Sequence, residues 1–162
     1  MSITLTTGYV PGCIGRIAQL HAAYYGAHYG FGVAFEAKVA RELAGFCLDY
    51  QPGRDGLWLA QADGIEGSIV IDGAHADTDG AHLRWFITSD ALRGHGTGRQ
   101  LLSTALAFAD QCGYPRVYLW TFAGLDAARH LYESHGFRLA EASPGTQWGT
   151  EVLEQRFVRT RP

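Results

Sequence analysis

The sequence predicts an α/β (α+β) sandwich, in which a mixed, mostly antiparallel central sheet of about seven strands is flanked by about four helices. Three observations carry this expectation. Short apolar runs rich in β-branched and aromatic residues, LRWFIT at 83–88 and VYLWT at 117–121, read as strands. Longer segments between them repeat their apolar residues at helical spacing. Their order along the chain is strand, two helices, three strands, helix, strand, helix, two strands, so parallel neighbours are expected only around the two later, crossover helices. A chain of 162 residues, 47% hydrophobic and 18% charged, suits one globular domain over 1–162.

Each element has its own signal. Ile3 to Thr6 alternates apolar and polar residues as a first strand, closed by Gly8 and Pro11. Ile14 to Tyr25 and Val33 to Phe46 are the first two helices, the former carrying Ile14, Ile17, Ala18 and Leu20 and the latter Phe35, Val39, Leu43 and Phe46. An aromatic connector with Tyr24, Tyr25, His28, Tyr29 and Phe31 is expected between them. Gln51 to Gly56 is a turn-rich break. The strands Leu57 to Gln61 and Gly67 to Ile71 form a hairpin across Asp63-Gly64. The acidic, glycine-bounded segment Asp72 to Gly80 is a surface turn leading into the strand Leu83 to Thr88. A third helix, stopped by Gly113 and Pro115, is expected to bury Leu101, Ala105, Phe108 and Cys112. The fourth runs from Asp126, placed as its cap, to His135, and Gly136 ends it. Phe137 to Ala140 and Glu151 to Val158 are the last strands, joined by a loop with Pro144, Gly145 and Trp148.

Composition narrows the function. A net charge of -3 gives no basic face for nucleic acid. Cys13, Cys47 and Cys112 are odd in number, widely spaced and set among apolar or glycine neighbours, so they read as buried free thiols in a reducing compartment. No C-x-x-C or His/Cys cluster suggests a metal. The start, MSITLTTGYVPG, lacks a basic stretch and a long apolar run, so neither a signal peptide nor a membrane span is expected, and the expected address is the cytoplasm.

The chemistry is concentrated between Leu83 and Ala109. There an apolar strand passes through the turn Ser89 to Leu92 and a loop holding Gly94, Gly96 and Gly98 into an amphipathic helix. Glycines let the backbone turn sharply and press its N–H groups against a ligand, and the helix start adds unpaired donors and partial positive charge. A phosphate or pyrophosphate is the expected guest. The nucleoside-triphosphate loop G-x-x-x-x-G-K-[ST] is excluded, because Arg99 and Gln100 follow Gly98. The dinucleotide fingerprint is excluded by glycines at every second position and by the lack of a following acidic strand end. The spacing that fits is R-x-x-G-x-G, met by Arg93, Gly96 and Gly98.

With that loop the chain resembles the GCN5-related N-acetyltransferase (GNAT) superfamily. The resemblance extends along nearly the whole order of elements and to LYESHGF at 131–137, which is similar to the family's Y-E-x-x-G-F. More narrowly, the aromatic first helices, the LWT strand, the A-A-R-x-x-Y-E helix and the late W-G pair resemble the acetyltransferase half of MarR-acetyltransferase fusion proteins, without the DNA-binding half. The resemblance implies acetyl-coenzyme A as acetyl donor, no metal, and direct transfer to a primary amine of a small molecule or amino acid. It implies backbone groups of Phe86, Ile87 and Thr88 toward the thioester, and Arg93, Gly94, His95, Gly96, Thr97 and Gly98 around the pyrophosphate. Tyr132 takes the family position that protonates the coenzyme A sulfur, as a phenol that stays protonated at neutral pH.

The base has no such counterpart, because the strand HLRWFIT lacks the Glu many relatives carry. His82, Glu36 and ordered water are the candidates, although His82 otherwise reads as a surface strand residue and Glu36 as a solvated residue near the start of its helix. Leu125 stands where many relatives have Asn, so that cofactor contact is missing. Tyr24, Tyr25, Tyr29 and Phe35 are placed either in the core or around an acceptor pocket, with Arg84 or Glu36 nearby. Trp85 alternates with Phe86, one toward the core and the other toward the helices or acceptor site, and Trp148 is placed at the pocket mouth. Alternatives are an acetyl-coenzyme A-binding sensor without turnover and a transferase acting on protein termini or lysines. The partners expected are a small amine or amino acid and, in a homodimer, a second copy of the chain.

Overall fold

A computed structural model describes residues 2–162. The elements are β1 (Thr4–Thr7), α1 (Cys13–Tyr29), α2 (Val33–Leu48), β2 (Gly56–Ala62), β3 (Gly64–Asp72), β4 (Ala81–Thr88), a 3₁₀ turn at Asp90–Leu92, α3 (Thr97–Gln111), β5 (Arg116–Phe122), α4 (Asp126–Ser134), β6 (Arg138–Gly145) and β7 (Val152–Thr160). The expected seven strands and four helices are all present, in the expected order. They form one sheet in the order β1-β2-β3-β4-β5-β7-β6. Only β4 and β5 run parallel as neighbours. The crossover through α4 does not produce a second parallel pair, because β7 inserts antiparallel between β5 and β6.

Several boundaries differ from the sequence reading. α1 runs on to Tyr29, so Tyr24, Tyr25, His28 and Tyr29 lie on the helix and not in a connector. Gly26 is tolerated inside it, and Gly30 at φ 71° supplies the left-handed stop. β6 continues through Pro144 to Gly145 where a loop was expected. It is the outermost strand and almost wholly exposed, so it has no alternating pattern to read, and proline is tolerated on an edge. The cap position of α4 is Leu125, and Asp126 stands inside the first turn with no side-chain cap bond. Cys13 is buried, but Cys47 and Cys112 are only half-buried; Cys112 lies just past α3 and not on its packed face.

Two layers of helices cover the sheet. Trp58, Ala60, Ile69, Ile71, Leu83, Val117, Leu119 and Phe157 face α3 and α4, meeting Leu101, Leu102, Ala105 and Tyr132. Leu101 and Leu102 are fully buried, each contributing ~1.5–3 kcal/mol by removal from water. On the opposite face Leu57, Leu59 and Val70 pack against Cys13, Ile17, Leu43 and Phe46 of α1 and α2. A paired clamp from Arg159 of β7 to Asp110 of α3, at 3.0 and 2.9 Å, ties the far end of the first layer.

The strand β4 is irregular where it matters. Ser68 pairs with Ile87 and Val70 with Arg84, so β4 holds one residue more than β3 across that interval. The extra residue is absorbed at Trp85, whose φ of 46° is left-handed, a strained state for a bulky side chain costing ~1–3 kcal/mol. Two contacts hold it: the buried Ser68 hydroxyl donates to the Trp85 carbonyl at 2.7 Å, and the Arg84 guanidinium lies 4.1 Å from the indole centre. After the bulge, Phe86 packs on the α3/α4 side like Leu83, three residues earlier, while Trp85 packs on the α1/α2 side.

Candidate active site between the splayed strands

β4 and β5 are paired only at Ala81 with Val117 and His82 with Tyr118. Beyond His82 the bulge turns β4 away, while β5 follows β7 to its end. The two strands diverge and leave a cleft of about 850 Å³ that passes through the sheet from one helical layer to the other.

The half toward α3 and α4 is built from the glycine loop. Gly94 and Gly96 have φ of 81° and 69°, a backbone state that favours glycine. Gly96 is the cap of α3, so Thr97 and Gly98 belong to its first turn and not to the preceding loop. That turn carries no acidic residue, leaving its free N–H groups and the helix dipole available to an anion. Gly98 lines the cleft; a Cβ there would lie no nearer than 3.8 Å to its closest neighbours, Phe86, Leu131 and Thr88. Arg93 also reaches the cleft and pairs with Asp90 at 2.6 Å on the exposed rim. Phe86, Ile87 and Thr88 line it directly, on the part of β4 that has lost its β5 partner. Gly94, His95, Gly96 and Thr97 do not line it. They shape the loop beside it, and the Thr97 side chain is buried.

Tyr132 comes from α4 into the middle of the cleft. Its ring is buried against Phe86, Phe137 and Phe157, with centroids 6.2, 5.8 and 6.3 Å away. Its hydroxyl has no hydrogen-bond partner in the protein, and no buried side-chain polar atom among the described residues lacks one, so this hydroxyl opens onto the cleft. Burial, and then the neighbouring Tyr25 phenol, push its pKa above the ordinary tyrosine value, so it is a neutral donor throughout the physiological range.

The half toward α1 and α2 is aromatic, with charges at one wall. Tyr29 meets Phe122 edge-on at 5.1 Å and Trp148 lies 5.7 Å from the same ring, while Tyr25, Phe31 and Phe35 pack behind them. Trp148 is held there because Gly149, at φ 87°, lets the loop close on Ala34; a Cβ on Gly149 would come within 2.7 Å of the Ala34 Cβ. The charged wall is Lys38, Glu42 and Arg84. Lys38 donates to Glu42 at 2.7 Å, and Arg84 pairs with the other Glu42 oxygen and lies 3.8 Å from Asp72. Burial raises the Glu42 pKa, but the hydrogen bonds and charges of Lys38 and Arg84 outweigh it and keep the carboxylate ionised.

Tyr29, Arg84, Trp85 and Trp148 line the cleft, and so do Tyr24, Tyr25, Phe35 and Leu125. Glu36 does not. It is exposed in the first turn of α2, and the acidic residue of the charged wall is Glu42. The two differ by six residues, which on a helix turns the side chain to another face. His82 is no surface residue: it stacks on Tyr118 at 4.4 Å within the cleft wall, and burial, with the Arg84 and Lys38 charges, brings its pKa down to about 3. His21 of α1, unremarked in the sequence, also lines the cleft. Among the described residues no cluster of three or more His, Cys, Asp or Glu side chains is placed for a metal, and no helix is long and apolar enough to cross a membrane.

Comparison with known proteins agrees with this architecture. The profile of the Acetyltransferase (GNAT) family matches residues 16–137. Human N-acetylaspartate synthetase is 31% identical over 132 residues, 81% of this chain but 44% of that protein, so the chain spans less than half of this relative. A GNAT-family acetyltransferase from Staphylococcus aureus Mu50 superposes with a TM-score of 0.79 at 16% identity, covering 98% of this chain and 99% of the other. The Salmonella typhimurium yncA structure, solved with its cofactor acetyl-CoA, superposes with a TM-score of 0.75 at 17% identity, over 99% and 94% of the two chains. The fold is shared with both.

Proposed function

The chain belongs to the Acetyltransferase (GNAT) family and is an acyltransferase, and from that premise we propose that it moves an acetyl group from acetyl-coenzyme A directly to the primary amine of a small amino acid or related amine. The observation that carries this is the unpartnered Tyr132 hydroxyl facing a cleft that joins an anion-ready helix start to an aromatic chamber.

The residues suit acetyl-coenzyme A on their own terms. Free N–H groups of the first turn of α3, uncovered by Gly96 and Gly98, hold the pyrophosphate, with Arg93 adding charge. When bound, the cofactor supplies an activated acetyl group as a thioester. The released backbone of β4 at Phe86 to Thr88 offers donors to the thioester oxygen. Tyr132 gives its proton to the departing sulfur as the amine nitrogen bonds to the carbonyl carbon. Leu125 occupies the cleft wall and provides no hydrogen bond there.

The aromatic chamber and the Lys38, Glu42, Arg84 wall suit an acceptor with an apolar body and a carboxylate, the latter taken by Arg84 and Lys38. The name of the N-acetylaspartate synthetase relative, which implies an amino-acid acceptor, supports this class. The narrower likeness to the acetyltransferase half of MarR fusion proteins rests on the aromatic first helices, the LWT strand, the helix holding Tyr132 and the Trp148-Gly149 pair, and belongs to the same reading.

The test is thiol release from acetyl-coenzyme A with L-aspartate, L-phenylalanine, spermidine and a lysine-bearing peptide, beside calorimetric titration of coenzyme A. Turnover with an amino acid is expected. Turnover with the peptide alone would replace the acceptor class. Tight coenzyme A binding with no thiol release would refute the transferase reading in favour of a sensor, and no binding would refute it entirely.

A further inference from the structure

α1 turns one stripe of side chains inward at four-residue spacing: the buried Cys13, Ile17 and His21 and the partly buried Tyr25. The third is a histidine where the pattern asks for an apolar residue. It is 6% exposed, and its Nδ1 lies 2.8 Å from the carbonyl oxygen of Ile17, one turn back. A carbonyl oxygen can only accept, so Nδ1 carries the hydrogen and the tautomer is fixed. Nε2 therefore presents a bare lone pair. It has no partner in the protein, and no buried side-chain polar atom among the described residues is left without one, so Nε2 is open to the cleft that His21 lines.

Asp126, Tyr24 and Tyr29 also line the cleft but are exposed; the less exposed titratable groups of that chamber are otherwise engaged. Glu42 is bridged to Lys38 and Arg84. His82 is stacked on Tyr118, and no hydrogen bond selects which of its nitrogens is protonated. Tyr25, one turn beyond His21, is kept neutral by burial. Among the buried titratable groups of the chamber, His21 is the one whose acceptor atom is both directed and free.

We propose that His21 Nε2 accepts the hydrogen bond of the acceptor nitrogen, aims its lone pair at the thioester, and takes the proton that nitrogen sheds during transfer. This rests on the acetyl-transfer reading. An alkylammonium loses one proton to water before it reacts. As the C–N bond forms the nitrogen becomes strongly acidic, and its second proton passes to Nε2 while the C–S bond breaks and Tyr132 protonates the sulfur. The imidazolium then returns its proton to cleft water, and Tyr132 is reprotonated from solvent, so the net change is amine plus thioester to amide plus thiol. Burial lowers the His21 pKa to about 4, against a weaker opposing effect of the Ile17 bond, so the imidazole is uncharged and ready to accept at neutral pH.

The experiment compares the wild type with His21→Gln, His21→Leu and His21→Ala, using whichever of the four acceptors above turns over fastest. Coenzyme A affinity is expected to stay unchanged in all. His21→Leu should lose ~100-fold or more in kcat, the scale of a lost proton acceptor. His21→Gln, whose amide oxygen stands in for Nε2, should keep turnover well above that, and free imidazole should restore part of the activity of His21→Ala. In ¹⁵N spectra of the wild type, Nε2 should read as the unprotonated nitrogen of the ring and should move when acceptor is added. Wild-type turnover in a folded His21→Leu, or an Nε2 that carries the hydrogen and ignores the acceptor, overturns the proposal while leaving the transferase reading intact. If His21→Leu does not fold, the Gln variant and the ring-nitrogen spectrum decide. Absence of turnover in the wild type itself sinks both.

Discussion

Lowering the pH from about 7 to about 5 should destabilise this protein through His21, and the size of the effect follows from its surroundings. The folded-state pKa of about 4 lies below the ordinary 6.5, so between those values the unfolded chain binds the extra proton and the folded chain does not. The stability this contributes is complete above the unfolded value and is lost as pH falls toward the folded one. At about 1.36 kcal/mol per pH unit, His21 accounts for ~2 kcal/mol between about pH 7 and pH 5. His82 moves in the same direction, toward about 3, but is present in every variant and cancels in a comparison. Urea unfolding at both pH values, on the wild type and His21→Gln, isolates the contribution. The wild type should lose ~2 kcal/mol more than the variant on acidification. Equal losses in the two proteins would show that the imidazole titrates normally, and that its burial and its bond to Ile17 do not hold it neutral.

Three further outcomes are expected. Tyr132→Phe removes a hydroxyl with no protein partner, so melting should stay within a few degrees and coenzyme A affinity unchanged while kcat falls ~100-fold or more by thiol release. Gly98→Ala places its Cβ 3.8–4.0 Å from Phe86, Leu131 and Thr88, ordinary contact distances, so stability should change by less than ~1 kcal/mol while calorimetry shows at least ~10-fold weaker coenzyme A binding. Ser68→Ala leaves the Trp85 carbonyl without its 2.7 Å bond, which should cost ~1 kcal/mol in urea unfolding and reduce kcat as the bulge relaxes.

The sequence was most informative where one rule governs one residue. The R-x-x-G-x-G loop needs a left-handed turn into its helix, and Gly96 of the motif supplies it, with Gly94 left-handed just before it. Tyr132 is buried on its helix with its hydroxyl toward the cleft, and Trp148 is carried into the aromatic wall by the glycine after it. Legibility failed where two faces compete. Lys38 and Glu42 look like a solvated i, i+4 pair, and only the nearness of Arg84 on β4, 42 residues away, turns that pair into a cleft wall. Glu36 was the plausible acid in sequence because it starts the same helix, yet it faces solvent. His21 sits on an apolar stripe, and from spacing alone such a histidine is indistinguishable from core packing. β6 gave no alternation to follow because an edge strand exposed on both faces buries no repeat.

The additional residue at Trp85 works as a frame offset in the chain. Upstream of it, odd-numbered positions of β4 belong to the coenzyme side; downstream, even-numbered ones do. Pairing β4 with β3 without the bulge, at unchanged length, would swap the destinations of everything from Trp85 onward, sending Phe86 into the acceptor chamber and Ile87 under Tyr132. It would also let β4 zip onto β5 along its length and close the opening. The enzyme's two compartments, and the passage between them, are therefore specified by one count of residues along one strand.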